Sequence, residues 1–84
     1  MHYVYVLKSH KDEELYIGCT SNLKRRVEEH NAGKSFSTKL RRPFELVYYE
    51  AYKSSIDAYA RESALKKRGN ARMHLKNRIL SSIQ

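Results

Sequence analysis

Cysteine is nearly absent from this chain of 84 residues, which has one, Cys19. A lone cysteine without CxxC or Cys/His neighbours excludes an internal disulfide and a zinc framework, and fits a reducing compartment. Long apolar runs are missing too, so no stretch approaches membrane-spanning length. The opening Met1-His2-Tyr3-Val4-Tyr5-Val6-Leu7-Lys8 has neither a basic n-region nor a long apolar core, and reads as a strand, not a signal peptide. A soluble, cytoplasmic protein of one small domain spanning residues 1–84 is expected, with no room for a second core. Glycines number only three, and each falls where it punctuates the pattern. No repeat, low-complexity segment or linker interrupts it.

Positive charge is plentiful. Seventeen Lys and Arg against nine Asp and Glu leave a net charge of +8. On so small a body this produces a field that attracts polyanions. The basic residues are spread over helices and one loop and interleaved with tyrosines, unlike the single block of a disordered tail. That pattern favours a folded surface for nucleic acid, and charge alone does not separate DNA from RNA.

From His2 to Lys8 the chain alternates, Tyr3, Tyr5 and Leu7 facing one way and Val4 and Val6 the other, as in a strand. Residues 9–14 form a polar hairpin connection, and Leu15 to Thr20 returns as a second strand. There Tyr16, Gly18 and Thr20 share one face, and Leu15, Ile17 and Cys19 the other. Gly18 inside a strand is costly unless another group approaches the backbone closely. Thr20 or Ser21 is expected to cap a helix that ends near Ala32-Gly33. A loop from Gly33 to Pro43, rich in Lys, Arg, Ser and Thr, leads to a third strand, Phe44 to Tyr52. Ser54 or Ser55 with Asp57 opens a second helix to about Lys67. Gly69-Asn70 breaks it, and one further helix carries Leu75, Ile79 and Ile83 at four-residue spacing. The order is ββαβαα, and the fold class is α/β (α+β): a three-stranded mixed or antiparallel sheet covered by helices.

At 100° per residue, Leu23 and Val27 define the buried side of the first helix. Arg26 and His30 fall at its edge, while Arg25 points to solvent. An arginine held against the body of a domain needs an anion, from the protein or from a ligand. An internal salt bridge with a satisfied boundary histidine is the bland reading. Convergence of this edge on the sheet bearing Tyr5 and Tyr16 weakens it. Glu62, in a segment of alanine, leucine and tyrosine, is either half of a buried ion pair or a metal ligand; one carboxylate can hold Mg²⁺ when waters and substrate phosphate complete the octahedron.

Tyr3-Val4-Tyr5 and Tyr16-Ile17-Gly18, followed by Arg26, His30 and Glu62 in order and spacing, resemble the GIY-YIG endonucleases. The likeness is to the short, stand-alone branch akin to an excinuclease N-terminal domain. Tyr3 stands where the first signature has glycine. An asparagine of larger members has no assigned counterpart, His74 lying near its place between Asn70 and Asn77.

The resemblance implies a metal-dependent endonuclease that hydrolyses phosphodiester bonds in DNA with weak sequence specificity, in DNA repair or recombination. RNA is not excluded as a partner, and no membrane partner is expected. It implies catalytic roles for Tyr5, Tyr16, Arg26, His30 and Glu62, with Mg²⁺ or Mn²⁺ on Glu62. Tyr5 would activate water with His30 as proton acceptor, Arg26 would neutralise non-bridging oxygens, and Tyr16 would position the phosphate. The alternative is a nucleic-acid-binding module of the same fold that cuts little or not at all.

Phosphate contacts are expected from Arg25 and from the loop residues Lys34, Lys39, Arg41 and Arg42, helped by Ser35, Ser37 and Thr38. Lys66 and Lys67 begin a second basic region that continues through Arg68, Arg72, Lys76 and Arg78. Gly33-Lys34-Ser35 is not a P-loop, since Glu28 occupies the place of the earlier glycine and a helix precedes it. Cys19 faces the core with Leu15 and Ile17 and reads as an inert thiol. Tyr48, Tyr49, Tyr52 and Tyr59 read as core and sheet packing.

Overall fold

A computed structural model describes residues 1–67 and 69–84. Arg68, expected within the second basic region, lies outside them. Strands β1 (His2–Ser9) and β2 (Leu15–Thr20) are followed by helix α1 (Leu23–Asn31), a 3₁₀ turn at Lys39–Arg41, strand β3 (Phe44–Tyr52) and helices α2 (Ser55–Lys66), α3 (Asn70–Arg78) and α4 (Leu80–Ile83). The sheet is antiparallel throughout, in the order β2-β1-β3, so β1 is central. The fold is α+β.

Alternation in β1 divides its side chains between two cores, because successive residues of a strand face opposite ways. Val4 and Val6, fully buried, meet Ile17, Ala58, Leu65, Leu75 and Ile79 on the side covered by α2 and α3. Tyr5 and Leu7 meet Phe44, Tyr16, Leu23, Val27 and Leu46 on the α1 side. A register shift in β3 keeps both sets intact. Val6 pairs with Tyr48 but Leu7 pairs with Leu46, Val47 being the additional residue. Without that bulge, Leu46 would share the face of Tyr48 instead of joining Leu7.

The α1 helix is capped by Asn22, whose side chain accepts from the Arg25 N–H. Thr20 and Ser21 do not cap it. The Thr20 hydroxyl instead bonds back to the Asn22 backbone and closes the turn out of β2. Ser54 caps α2 as expected. The last helix is two pieces. Ile79 leaves helical geometry, with φ −114° and ψ 27°, and α4 restarts at Leu80. Leu75 and Ile79 remain buried and Ile83 packs against the same core. The interruption therefore adjusts the direction of the chain without losing the apolar row. Lys8 Nζ donates to the Ile83 carbonyl at 2.6 Å, which ties this end to β1.

Residues 33–43 are pinned from several sides. Ser9 Oγ, fully buried, donates to the Arg41 carbonyl, and the Asn31 side chain bonds both the N–H and the C=O of Phe44. On the opposite sheet face, Glu50 accepts from Tyr48, Tyr52 and Arg61 and locks α2 to β3. Tyr48 and Tyr52 are thus packing residues as expected, whereas Tyr49 and Tyr59 are more than half exposed. Among the described residues, no helix is long and apolar enough to cross a membrane.

Candidate active site

Register places Tyr5 directly opposite Gly18. The tyrosine ring lies across the glycine backbone, so that a Cβ on Gly18 would fall on the ring's hydroxyl and Cζ. Gly18 therefore serves as the floor for Tyr5, the close approach its place in a strand calls for. The ring is 1% exposed, and its hydroxyl meets His30 Nε2 at 2.9 Å.

His30 lies deeper than the helix-edge position its spacing suggests, at 0% exposure. Three aromatic rings surround it, with centroids 5.8 Å away for Tyr5, 5.1 Å for Tyr16 and 5.9 Å for Phe44. Its other nitrogen, Nδ1, is 2.7 Å from Oγ1 of Thr38, itself fully buried. Tyr5, His30 and Thr38 thus form one hydrogen-bonded row. The row has three mobile protons, one on each hydroxyl and one on the neutral imidazole, for two hydrogen bonds.

Arg26 stands where the row meets the surface. Its guanidinium donates to Glu29 at 3.2 Å and to Ser35 Oγ at 3.4 Å, with the side chain about one-third exposed. Burial pushes the Tyr5 phenol up to about 12, against the opposing pull of the adjacent Arg26 charge. Burial, then the Arg26 charge, brings His30 down to about 4. Both groups are consequently neutral near pH 7, with the proton held on Tyr5.

Glu62 comes from α2, on the other side of the sheet. Its charge nevertheless adds to what raises the Tyr5 phenol, and after burial it is the next cause that raises the Cys19 thiol. Its ion-pair partner is Lys66, at 3.3 Å. Arg26 and Glu62 thus bond to different partners: Arg26 makes the internal salt bridge of the bland reading, with Glu29, and Glu62 pairs with Lys66. Among the described residues, no three His, Cys, Asp or Glu side chains gather into a metal-binding cage. A single partly buried carboxylate beside open solvent fits Mg²⁺ or Mn²⁺, which keep waters and take phosphate oxygens, better than an ion needing an all-protein shell.

The basic residues divide. Arg25 is 73% exposed, on the flank of the site, and pairs with Glu29. Lys34, Lys39, Arg42 and Lys67 are at least partly exposed, Arg42 with its Nε on the Lys39 carbonyl. Arg41 is committed elsewhere: it grips Asp12 at 2.7 Å and holds that carboxyl down at about 2. Lys66 is exposed and lies 3.3 Å from Glu62 in an i,i+4 pair, as Arg25 does with Glu29. Ser35 and Thr38, expected to face phosphate, are turned inward onto Arg26 and His30, and only Ser37 of the three hydroxyls is exposed. Sequence reasoning does not find these two as partners of site residues. The available signal is the proximity of this loop to the end of α1, which cannot tell inward from outward. Cys19 packs against the core with Leu15 and Ile17 as expected, partly buried, and burial raises its thiol.

Residues 1–77 match the GIY-YIG catalytic domain. The chain belongs to the GIY-YIG family. A UPF0213 protein of Staphylococcus haemolyticus is 48% identical over 66 residues, covering 77% of this chain and 79% of the relative. One from Natronomonas pharaonis is 47% identical over 72 residues, covering 84% of each. The solution NMR structure of a UPF0213 protein from Bacillus halodurans superposes with a TM-score of 0.54 at 34% identity, covering 95% of this chain and 82% of that one. This GIY-YIG chain therefore sits among small relatives, and the family is nuclease-like.

Proposed function

We propose that this GIY-YIG protein is a metal-dependent endonuclease hydrolysing phosphodiester bonds in DNA, with weak sequence specificity, in a repair or recombination setting. The observation that carries the reading is the Tyr5–His30 hydrogen bond at 2.9 Å with the Arg26 guanidinium beside it. It joins a proton-accepting row to a phosphate-binding cation, which is the equipment for in-line attack by water.

A scissile phosphate bound at Arg26 offsets the positive charge that helps to depress His30. The imidazole then becomes the better base at the moment substrate arrives. As water attacks phosphorus, its proton passes to Tyr5 Oη while the phenol proton passes to His30 Nε2. The imidazolium formed is held through Nδ1–H by Thr38. Tyr16, edge-on to His30, keeps the ring in place and forms a wall of the site. Mg²⁺ or Mn²⁺ held on Glu62, when bound, supplies charge neutralisation at the phosphate and leaving oxygen. Exposed Arg25, Lys34, Lys39, Arg42 and Lys67 contact backbone phosphates, a mode that carries little sequence information.

A nucleic-acid-binding module that cuts little is the second reading. It is favoured by one feature, the Arg26–Glu29 ion pair at 3.2 Å, which already supplies Arg26 with an anion. Cleavage of single- and double-stranded DNA with Mg²⁺ or Mn²⁺, compared among wild type, Arg26→Ala and Glu62→Ala, separates them. Metal-dependent cutting lost in both variants supports the enzyme. Equal background from all three, with binding retained, leaves the module.

A further inference from the structure

We propose that Phe36 is a base-stacking residue at the rim of the site, and that the preferred substrate is DNA with an unpaired base beside the scissile phosphate. The inference rests on the nuclease reading and deepens it by naming a substrate class. Phe36 is 86% exposed, the most exposed of the large hydrophobic side chains among the described residues. Scattered single apolar residues are normal on surfaces and need no account. Phe36 differs in where it is held.

Its neighbour Ser35 is turned inward onto Arg26, and Thr38, two residues on, is turned inward onto His30. The N–H groups of Thr38 and Lys39 both bond to the Ser35 carbonyl, at 3.1 and 2.9 Å. Residues 35–39 thus form a tight turn fastened at both ends to the groups proposed to bind phosphate and accept the proton. The side chain between them points into solvent next to those groups. Lys39 Nζ lies 5.0 Å from the centre of the Phe36 ring, and Lys34 and Arg42 are nearby in sequence.

An exposed aromatic ring with a lysine beside it matches a nucleotide, with the base on the ring face and a flanking phosphate on the ammonium group. A base inside a paired duplex has no free face to offer, so the complement is an unpaired or extruded one. Lys39 covers one face of the ring at most, and the other is open to the base.

The test uses DNA of one sequence in two forms, fully paired and with a single extrahelical 2-aminopurine, in EDTA so that binding is read without cleavage. Wild type and Phe36→Tyr should quench the 2-aminopurine, and Phe36→Ala should not. Loss of one stacked base costs about 5- to 150-fold in affinity, so Phe36→Ala should weaken binding to the extrahelical form by that factor, and by several-fold less to the paired form. Equal losses on the two forms, or quenching that survives Phe36→Ala, overturn the proposal. Cleavage in Mg²⁺ or Mn²⁺ is scored separately. Cutting without Phe36-dependent discrimination would sink the stacking role and leave the nuclease. Phe36-dependent quenching without cutting would keep the stacking role and remove the nuclease.

Discussion

Gly18 and Tyr5 are paired across β1 and β2, and the space a side chain on Gly18 would occupy is filled by the hydroxyl end of the Tyr5 ring. Relief by a small movement is closed off, because the ring is buried and its hydroxyl is held by His30. Gly18→Ala should therefore displace Tyr5 from His30. Overpacking of this kind costs about 1–3 kcal/mol, which denaturant unfolding would read directly. A variant as stable as wild type, with the Tyr5 ring resonances unmoved, would contradict this reading of the strand glycine.

The depressed pKa of His30 predicts how stability depends on pH. In the folded state it titrates at about 4, against 6.5 when unfolded. Between those values the unfolded chain binds more protons, so stability rises with pH across the window and is lost as pH falls through it. The change expected across that whole window is about 3 kcal/mol. The groups facing His30 are Tyr5, Tyr16, Thr38, Phe44 and Arg26, with the Glu29 charge acting in the opposite direction. Thermal unfolding from pH 5 to 6.5, above the range where Glu29 and Glu50 titrate, isolates the effect. His30→Gln should flatten the slope there. An equally steep slope in that variant would assign the dependence to other groups.

Thr38 should behave as a positioning residue for His30. Thr38→Val keeps the shape and removes the partner of Nδ1, leaving a buried polar atom unpaired at a cost of about 1–3 kcal/mol. Thr38→Ser should restore both stability and the ¹⁵N shifts that report which imidazole nitrogen carries the proton. A Val variant whose His30 shifts match wild type would show that the 2.7 Å contact does not set the tautomer.

Arg41 and Lys39 should differ in DNA binding although both belong to one basic loop. Each phosphate contact contributes about one unit to the slope of log affinity against log salt concentration. Lys39→Ala should reduce that slope. Arg41→Ala should leave it nearly unchanged and instead loosen the connection to Asp12. The reverse pattern would restore Arg41 as a phosphate ligand.

That contrast shows what the sequence could and could not disclose. Strand alternation separated Val4 and Val6 from Tyr5 and Leu7, and the structure gives each set its own core. Periodicity reports such burial because it acts through backbone geometry alone. The spacing of Arg26 and His30 put both at the edge of the buried side of α1, where Arg26 lies, although His30 is fully buried. Loop residues carry no period, so Ser35 and Thr38 looked like solvated phosphate contacts although tertiary partners turn them inward, and Arg41 looked free although it is paired with Asp12 at the surface. The break at Ile79 was hidden for the opposite reason: the apolar spacing continues across it. Asn22 outcompeted Thr20 and Ser21 as the cap because the Thr20 hydroxyl is used by the preceding turn.

In the proposed function, joint action of Tyr5, His30, Arg26 and Glu62 on a phosphodiester carries the cleavage. It is tested most directly by single-turnover cleavage of a DNA oligonucleotide in Mg²⁺ or Mn²⁺ by wild type, Tyr5→Phe and Glu62→Gln, each first shown to be folded. Removing a proton-transferring group costs about 10²- to 10⁴-fold, so Tyr5→Phe should fall by that range. Glu62→Gln should lose metal-dependent cutting with little change in stability, since its partner Lys66 is half exposed and such pairs contribute little. Cleavage by both variants at the wild-type rate would contradict the account.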